Sequence, residues 1–418
     1  MILSCDPAGL RPLYFAHERQ RFAFAPEVKA LLALPWSKRE IDQLGIQCFL
    51  RHGFVIGERT FFHGIKILPG GSFARFQRGR LQIERYWNMR FSGRARLAES
   101  EMQTRFVSVW NEILQRHTNE EAPLGALLSG GLDSRLILAG CLAHEKKVPV
   151  FTTGAPGSED VRLAHQLAKV SGAPSLYCPI VPAKLTNGLA HAVYLTYGMF
   201  NCFHANVRFL LPRLTEFVDI VFDGICPLDS FYNALEIPLR RLLGKSHPLP
   251  WLRQAVSNYD LRAIAVGSRT VDLLKTHAHE ERDFLEEFYL AALPRCEDAT
   301  SVLDLFRFEE RQHRLFSYGP MLLRSAVEVR CPFFDKKMLE LIPFMSPQHR
   351  SEDKPLHKHA IHALAPALAH VPWDRTQLPL HAGPGKTHLR LAAKFLRSQT
   401  RAFYEKHFER APRTAKLC

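Results

Sequence analysis

The sequence has no C-x-x-C pair. Its nine cysteines, an odd number, are scattered from Cys5 to Cys418, so neither a structural zinc site nor a disulfide framework is indicated. They read as small buried hydrophobes in a reducing cytoplasm. No apolar run is long enough to span a bilayer, so no membrane partner is expected. Residues Met1–Cys5 lack the basic region and long apolar core of a signal peptide. Acidic residues are in deficit, 41 against 55 lysines and arginines, and the net charge is +14. Much of the excess follows Lys386, from Arg390 to Lys416. No aromatic pattern for stacking bases accompanies it, so it reads as a solvated helical face, and nucleic acid is not an expected partner. His357, His359 and His362 show no metal-ligand spacing, and isolated histidines of this kind read as structural or surface residues.

At 418 residues the chain exceeds one ordinary core, so two domains are expected. The second is organised around one stretch. Leu124–Leu128 is an apolar run that reads as a buried strand. Ser129-Gly130-Gly131-Leu132-Asp133-Ser134 follows, and then Arg135–Leu142 reads as a helix. Strand, glycine-rich turn and helix form a phosphate cradle. The paired glycines let the backbone approach an anion, and the N–H groups of the turn and helix start point at it. Asp133 is the candidate Mg²⁺ ligand. No lysine follows the glycines, which excludes a Walker A loop.

Further strands alternate with helices. Val148–Thr153 ends at Gly154. Ser158-Glu159-Asp160 opens a helix, with Ser158 as N-cap and the acids in its first turn. Ser175–Cys178 and Asp219–Phe222 are the next strands, the latter leading into 223–229. Such alternation predicts a parallel sheet covered on both faces, with ligands at its C-terminal edge. That edge gathers Ser129–Ser134, the 153–160 loop and the 223–229 loop. Residues 230–316 read as a helical layer without a motif.

Residues 1–91 look β-rich, with strands at Leu13–Ala16 and Phe22–Ala25, a helix at Glu27–Leu34, a Pro69-Gly70-Gly71 turn between strands, and a closing strand at Leu81–Trp87.

The loop Ser129–Ser134 matches the Ser-Gly-Gly-x-Asp-Ser signature of the PP-loop ATP pyrophosphatases. Asp6–Phe15, Phe24–Leu32, Leu68-Pro69-Gly70 and Tyr86-Trp87, in this order, resemble the second half of the glutaminase domain of asparagine synthase, an N-terminal nucleophile hydrolase. Glu328-Val-Arg-Cys-Pro-Phe-Phe-Asp335 resembles the same family's Glu-x-Arg-x-Pro-Phe-x-Asp turn. It reads either as holding the loops around the substrate or as an ion-paired turn. Residues 354–380 match the family's last segment in outline.

The resemblance implies an α/β fold: a parallel-sheet PP-loop synthetase domain, adenine nucleotide α-hydrolase-like, over 105–418. A smaller β-rich, partial N-terminal-nucleophile-hydrolase-like domain over 1–91 would join it through a linker at 92–104. It implies an AMP-forming amide ligase using ATP and Mg²⁺, with a small-molecule or peptide carboxylate as substrate. Leu128, Ser129, Gly130, Gly131, Asp133, Ser134, Thr153, Gly154, Asp160 and Gly224 would bind the nucleotide, and Asp133 and Asp229 the metal. The family's nucleophilic cysteine directly follows the initiator Met. Here that position is Ile2, and Cys5 is no substitute, so no glutamine hydrolysis is expected from this chain. Nitrogen would come as ammonia, from a separate amidotransferase, or as a substrate amine. The last case describes the family's macrocyclases and lactam synthetases, whose substrate can be a precursor peptide. A non-catalytic nucleotide-binding or assembly protein is the alternative of another class.

The chain departs from the family twice. Aligned on Gly224, Ile225 stands where the family has Glu or, in lactam-forming relatives, Tyr. Aligned on Arg375, Gln377 stands where it has Lys. Lys386, within Gly383-Pro-Gly-Lys386, is the candidate replacement cation and, with Asp133, the expected catalytic pair.

Overall fold

The computed structural model describes residues 1–93, 97–200, 205–227, 278–297, 299–351, 353–383, 385–386 and 389–390. The N-terminal region builds two three-stranded antiparallel sheets. One has the order β1 (Ile2–Ser4), β5 (Ser72–Gln77), β6 (Arg80–Arg85). The other has β3 (Arg21–Ala25), β2 (Tyr14–Glu18), β4 (Ile65–Ile67). The Pro69-Gly70-Gly71 turn predicted between strands joins β4 to β5. Gly71 has φ +66, and its N–H donates to the Asp6 carbonyl. A helix that the sequence reading passes over runs from Gln43 to His52. Asp42 caps its start by accepting from the Gly45 N–H at 2.8 Å, and left-handed Gly53 ends it.

The helix Glu99–Thr118 begins inside the segment expected to be linker. Its apolar stripe, Met102, Phe106, Trp110, Ile113 and Leu114, is buried, and the helix packs against the helix Leu132–Ala143. The two approach closely at Gly140, where an added Cβ would stand 2.7 Å from Leu114 Cγ. Trp110 Nε1 donates to the Leu136 carbonyl across the same contact. Helix Leu132–Ala143 is buried on nearly every side, with helix Pro355–Leu364 on another flank.

The second region holds the parallel sheet. Its strands are β7 (Leu124–Leu127), β8 (Val150–Gly154), β9 (Ser175–Pro179), β10 (Ile220–Phe222) and β11 (Glu328–Arg330), in the spatial order β11-β10-β7-β8-β9. The α/β fold with a covered parallel sheet is as the alternation predicts. The sequence reading places Glu328–Arg330 in a turn, whereas these residues pair in parallel with Ile220–Phe222. The chain starts at the middle strand, builds outward to β9, then returns to the other side of β7. The switch point therefore lies between β7 and β10, where ligands bind in such sheets. No helix among the described residues is long and apolar enough to cross a membrane.

Candidate active site

The turn 128–131 leaves the C-terminal end of β7 at that switch point. Gly224, just past β10, comes so close that a Cβ there would stand 3.0 Å from Ser134 N. The loops after β7 and β10 are thus in contact because position 224 has no side chain. Leu128 is buried, its N–H on the Phe151 carbonyl and its own carbonyl taken by Thr152 Oγ1, so it anchors the start of the loop.

Several loop donors are satisfied internally. Ser134 Oγ accepts from Ser129 N and lies 3.1 Å from Ser129 Oγ. Gly131 N donates to Ser129 Oγ, and Gly130 N donates to Asp160 Oδ1 at 2.6 Å. Burial pushes the Asp160 carboxyl up, opposed by that N–H bond and reinforced by nearby Asp374. Among the described residues no side chain caps the start of the helix that follows, at Gly131, and first-turn N–H groups with a helix dipole suit an anion.

Arg135 holds the loop in place. Its guanidinium is fully buried and donates to four carbonyls: Gly130, Leu368, Val371 and Pro372, at 2.7 to 3.3 Å. Burial pushes its pKa down to about 10, partly offset by Asp374, so it remains charged at neutral pH.

Asp133 sits in the helix's first turn. Lys354 Nζ lies 2.5 Å from its Oδ2, and His357 Nε2 lies 3.0 Å from its Oδ1. Both partners are almost entirely buried. Lys354 has φ +50, a left-handed conformation uncommon for lysine, and precedes Pro355 at the start of helix Pro355–Leu364. Burial lowers the His357 pKa against the pull of Asp133, which keeps the imidazole neutral at neutral pH. Cys226 Sγ lies 3.9 Å from His357 Nε2. Asp133, Cys226 and His357 converge closely, but thiol and imidazole are the wrong donors for Mg²⁺, which takes oxygen ligands. Asp133 alone of the three suits it, and one carboxylate with substrate phosphates is a usual Mg²⁺ set.

Asp223, the residue before Gly224, accepts from the Ile225 N–H at 3.0 Å. Burial pushes its carboxyl up to about 6, against that bond and the charge of Arg324. Ile225 is half-buried. Thr153 Oγ1 donates to the Cys178 carbonyl, and the Gly154 carbonyl accepts from Tyr177. Gln377 is exposed, with φ +57, and its side chain donates to the Asp374 carbonyl. Lys386 is exposed, and among the described residues no hydrogen bond or ion pair joins its side chain to the phosphate loop. Asp229 lies outside the described residues. In the Glu328–Asp335 segment, Arg330 pairs with Glu120 and Glu328. Asp335 caps the next helix and pairs with Arg116. This ties β11 to the end of helix Glu99–Thr118.

The structure brings together Ser129, Gly130, Gly131, Asp133, Ser134, Asp160 and Gly224. It adds Lys354, His357 and Asp223, which the sequence reading does not nominate. A signal for the first two exists, since Lys354 and His357 are three residues apart at a helix start and so share a face.

The asparagine synthase family profile matches residues 108–370, and that of the glutamine amidotransferase domain matches residues 1–87. Bacillus subtilis asparagine synthetase [glutamine-hydrolyzing] 3 is 23% identical over 406 residues, covering 86% of this chain and 62% of that protein. A Mycobacterium bovis protein assigned by name to the glutamine-hydrolysing asparagine synthetases is 28% identical over 271 residues, 59% of this chain and 41% of that one. The chain spans 41% to 62% of the length of these two relatives. Among solved structures, the ammonia-dependent NAD synthetase of Campylobacter jejuni is similar at 13% identity, with 44% of this chain covered, 96% of that one and a TM-score of 0.25.

Proposed function

Because the chain belongs to the asparagine synthase family, we propose that it is an ATP-dependent, AMP-forming ligase that joins a carboxylate to an amine. The observation that carries this reading is Asp133, set at the uncapped start of a helix at the sheet's switch point and paired with buried Lys354.

The chemistry has two steps. A substrate carboxylate oxygen attacks the α-phosphorus of ATP, the bond to the bridging oxygen breaks, and pyrophosphate leaves. The amine nitrogen then attacks the acyl carbon, AMP leaves with the bonding pair, and the amine gives up a proton. Asp133 would hold Mg²⁺, which neutralises charge on the phosphates when bound. Lys354 and the first-turn N–H groups of helix Leu132–Ala143 stabilise the departing pyrophosphate. Arg135 fixes the loop that carries them. Asp223, with a carboxyl poised near neutrality beside Gly224, takes the amine proton. Lys354 and Asp223 thus supply the charge and the base that Gln377 and Ile225 do not.

The two departures favour a carboxylate other than aspartate, and they leave open a substrate that carries its own amine, as in macrocycle or lactam formation. The nitrogen source is not a glutaminase built on Cys5. That thiol is buried, sits 3.8 Å from the Arg11 carbonyl, and is pushed up to about 12 by burial.

The test is carboxylate-dependent release of AMP and pyrophosphate from ATP by the purified chain, across a panel of amino acids and peptides. The Asp133→Ala protein should release neither. ADP as product, or equal turnover by Asp133→Ala, refutes the reading.

A further inference from the structure

A second cavity, of about 980 Å³, opens between the N-terminal sheets and the helical layer. Its floor includes part of Arg307–Phe316, which winds as a ten-residue π-helix. Wide turns of this kind are rare and concentrate at functional sites. The π-helix brings Glu310 and Arg314 to the cavity wall, and Arg314 is only 4% exposed.

The carboxylates on the wall are matched unevenly. Asp42 is held by Arg59 at 2.8 Å, and Glu309 by both Arg85 and Arg295. Glu310 spends Oε2 on the Gly57 N–H at 2.7 Å and stays 4.0 Å from Arg314 Nε. Nε and Nη1 of Arg314 are buried and, among the described residues, have no hydrogen-bond partner. A buried guanidinium in this state lacks an acceptor, and a carboxylate is its geometric complement. Phosphate is the poorer match, because the described lining carries five carboxylates against four lysines and arginines. A molecule whose anionic end is accompanied by a cationic group adds no net charge to that wall and suits it better. Phe284 and Phe288 offer it apolar surface.

We propose that this cavity binds a zwitterionic amino acid or short peptide, its free carboxylate seated on Arg314. The site is distinct from the phosphate loop.

The test is calorimetric titration of the full chain with the common free amino acids and with the tripeptides Ala-Phe-Ala, Ala-Leu-Ala and Ala-Ser-Ala. Each tripeptide is also used as its C-terminal amide, and sodium acetate and inorganic phosphate serve as controls. A free acid should bind, and its amide should lose about tenfold or more in affinity. Arg314→Gln should lose as much, while Asp133→Ala should bind the peptide normally, which separates this proposal from the ligase reading. The acid–amide comparison uses the unaltered chain, so it stands even if Arg314→Gln does not fold. Free amino acids binding alone, or tripeptides alone, tells which source the site takes, and either supports it. No binding by any acid, equal binding of acid and amide, or phosphate binding best of all overturns it.

Discussion

Lys354 and Asp133 are 221 residues apart in the chain, yet their charged groups meet at 2.5 Å at the mouth of the phosphate loop. In the proposed ligase this nearly buried ammonium would also meet the phosphates bound at the loop. Lys354→Met should reduce pyrophosphate release by about a hundredfold or more, the scale of losing one preorganised charge. Quantifying AMP and pyrophosphate at saturating ATP checks this. Wild-type rates in Lys354→Met would return the cationic role to Lys386.

Asp223 accepts a proton only when ionised, so the amine-transfer step should rise with pH as its carboxyl loses its proton around pH 6. Single-turnover formation of the amide, followed from pH 5 to pH 8, measures this limb. Asp223→Asn should slow the step and abolish the limb. A limb of unchanged midpoint in Asp223→Asn assigns the proton elsewhere.

Arg135 is a structural cation whose removal takes a donor from four carbonyls, of which that of Leu368 keeps the Val371 N–H. Arg135→Ala should cost roughly 3 to 5 kcal/mol. Arg135→Lys should recover only part of this, because an ammonium cannot span the same fork of acceptors. Urea unfolding followed by circular dichroism gives the difference, and full recovery by lysine contradicts the geometry.

Gly140 is the contact at which helix Glu99–Thr118 meets helix Leu132–Ala143. Gly140→Ala gains helix propensity of about 1 kcal/mol but must displace Leu114 and Trp110, at 2.7 and 3.1 Å from the added carbon. Overpacking of about 1 to 3 kcal/mol should win, so the melting temperature falls. A rise would mean that the helices part without strain.

Cys5 is buried with its thiol pushed up to about 12, so almost no thiolate exists at neutral pH. Iodoacetamide should leave it unlabelled in the native protein and label it in urea, as read by mass spectrometry. Rapid native labelling would reopen it as a nucleophile.

What the sequence made legible was local. The phosphate loop announces itself because strand, glycines and helix are contiguous, and the parallel sheet follows from alternation. Strand order was not legible, since β11 is three residues whose pairing with β10 is decided by packing. Lys354 has no such contiguous sign, because it stands at the start of helix Pro355–Leu364, before the Arg375 segment in which the family's cation lies. His357 was one of many scattered histidines, and only the fold put it beside Asp133. Asp223 gives no local sign, because its shifted carboxyl is a property of burial. The helix Gln43–His52 carries its own signals, with Asp42 to begin it and Gly53 to stop it.

Arg135 also sets an order of assembly. Three of its four acceptors lie 233, 236 and 237 residues downstream. Lys354 is almost as far away. During synthesis the glycine-rich loop therefore leaves the ribosome long before the groups that fix its shape and charge. Contacts of such separation form late, after the cost of closing a long loop has been met. A nascent chain stopped before residue 354 should contain the whole loop yet fail to retain ATP. Nucleotide binding would thus report that residues 354–372 have been made and packed.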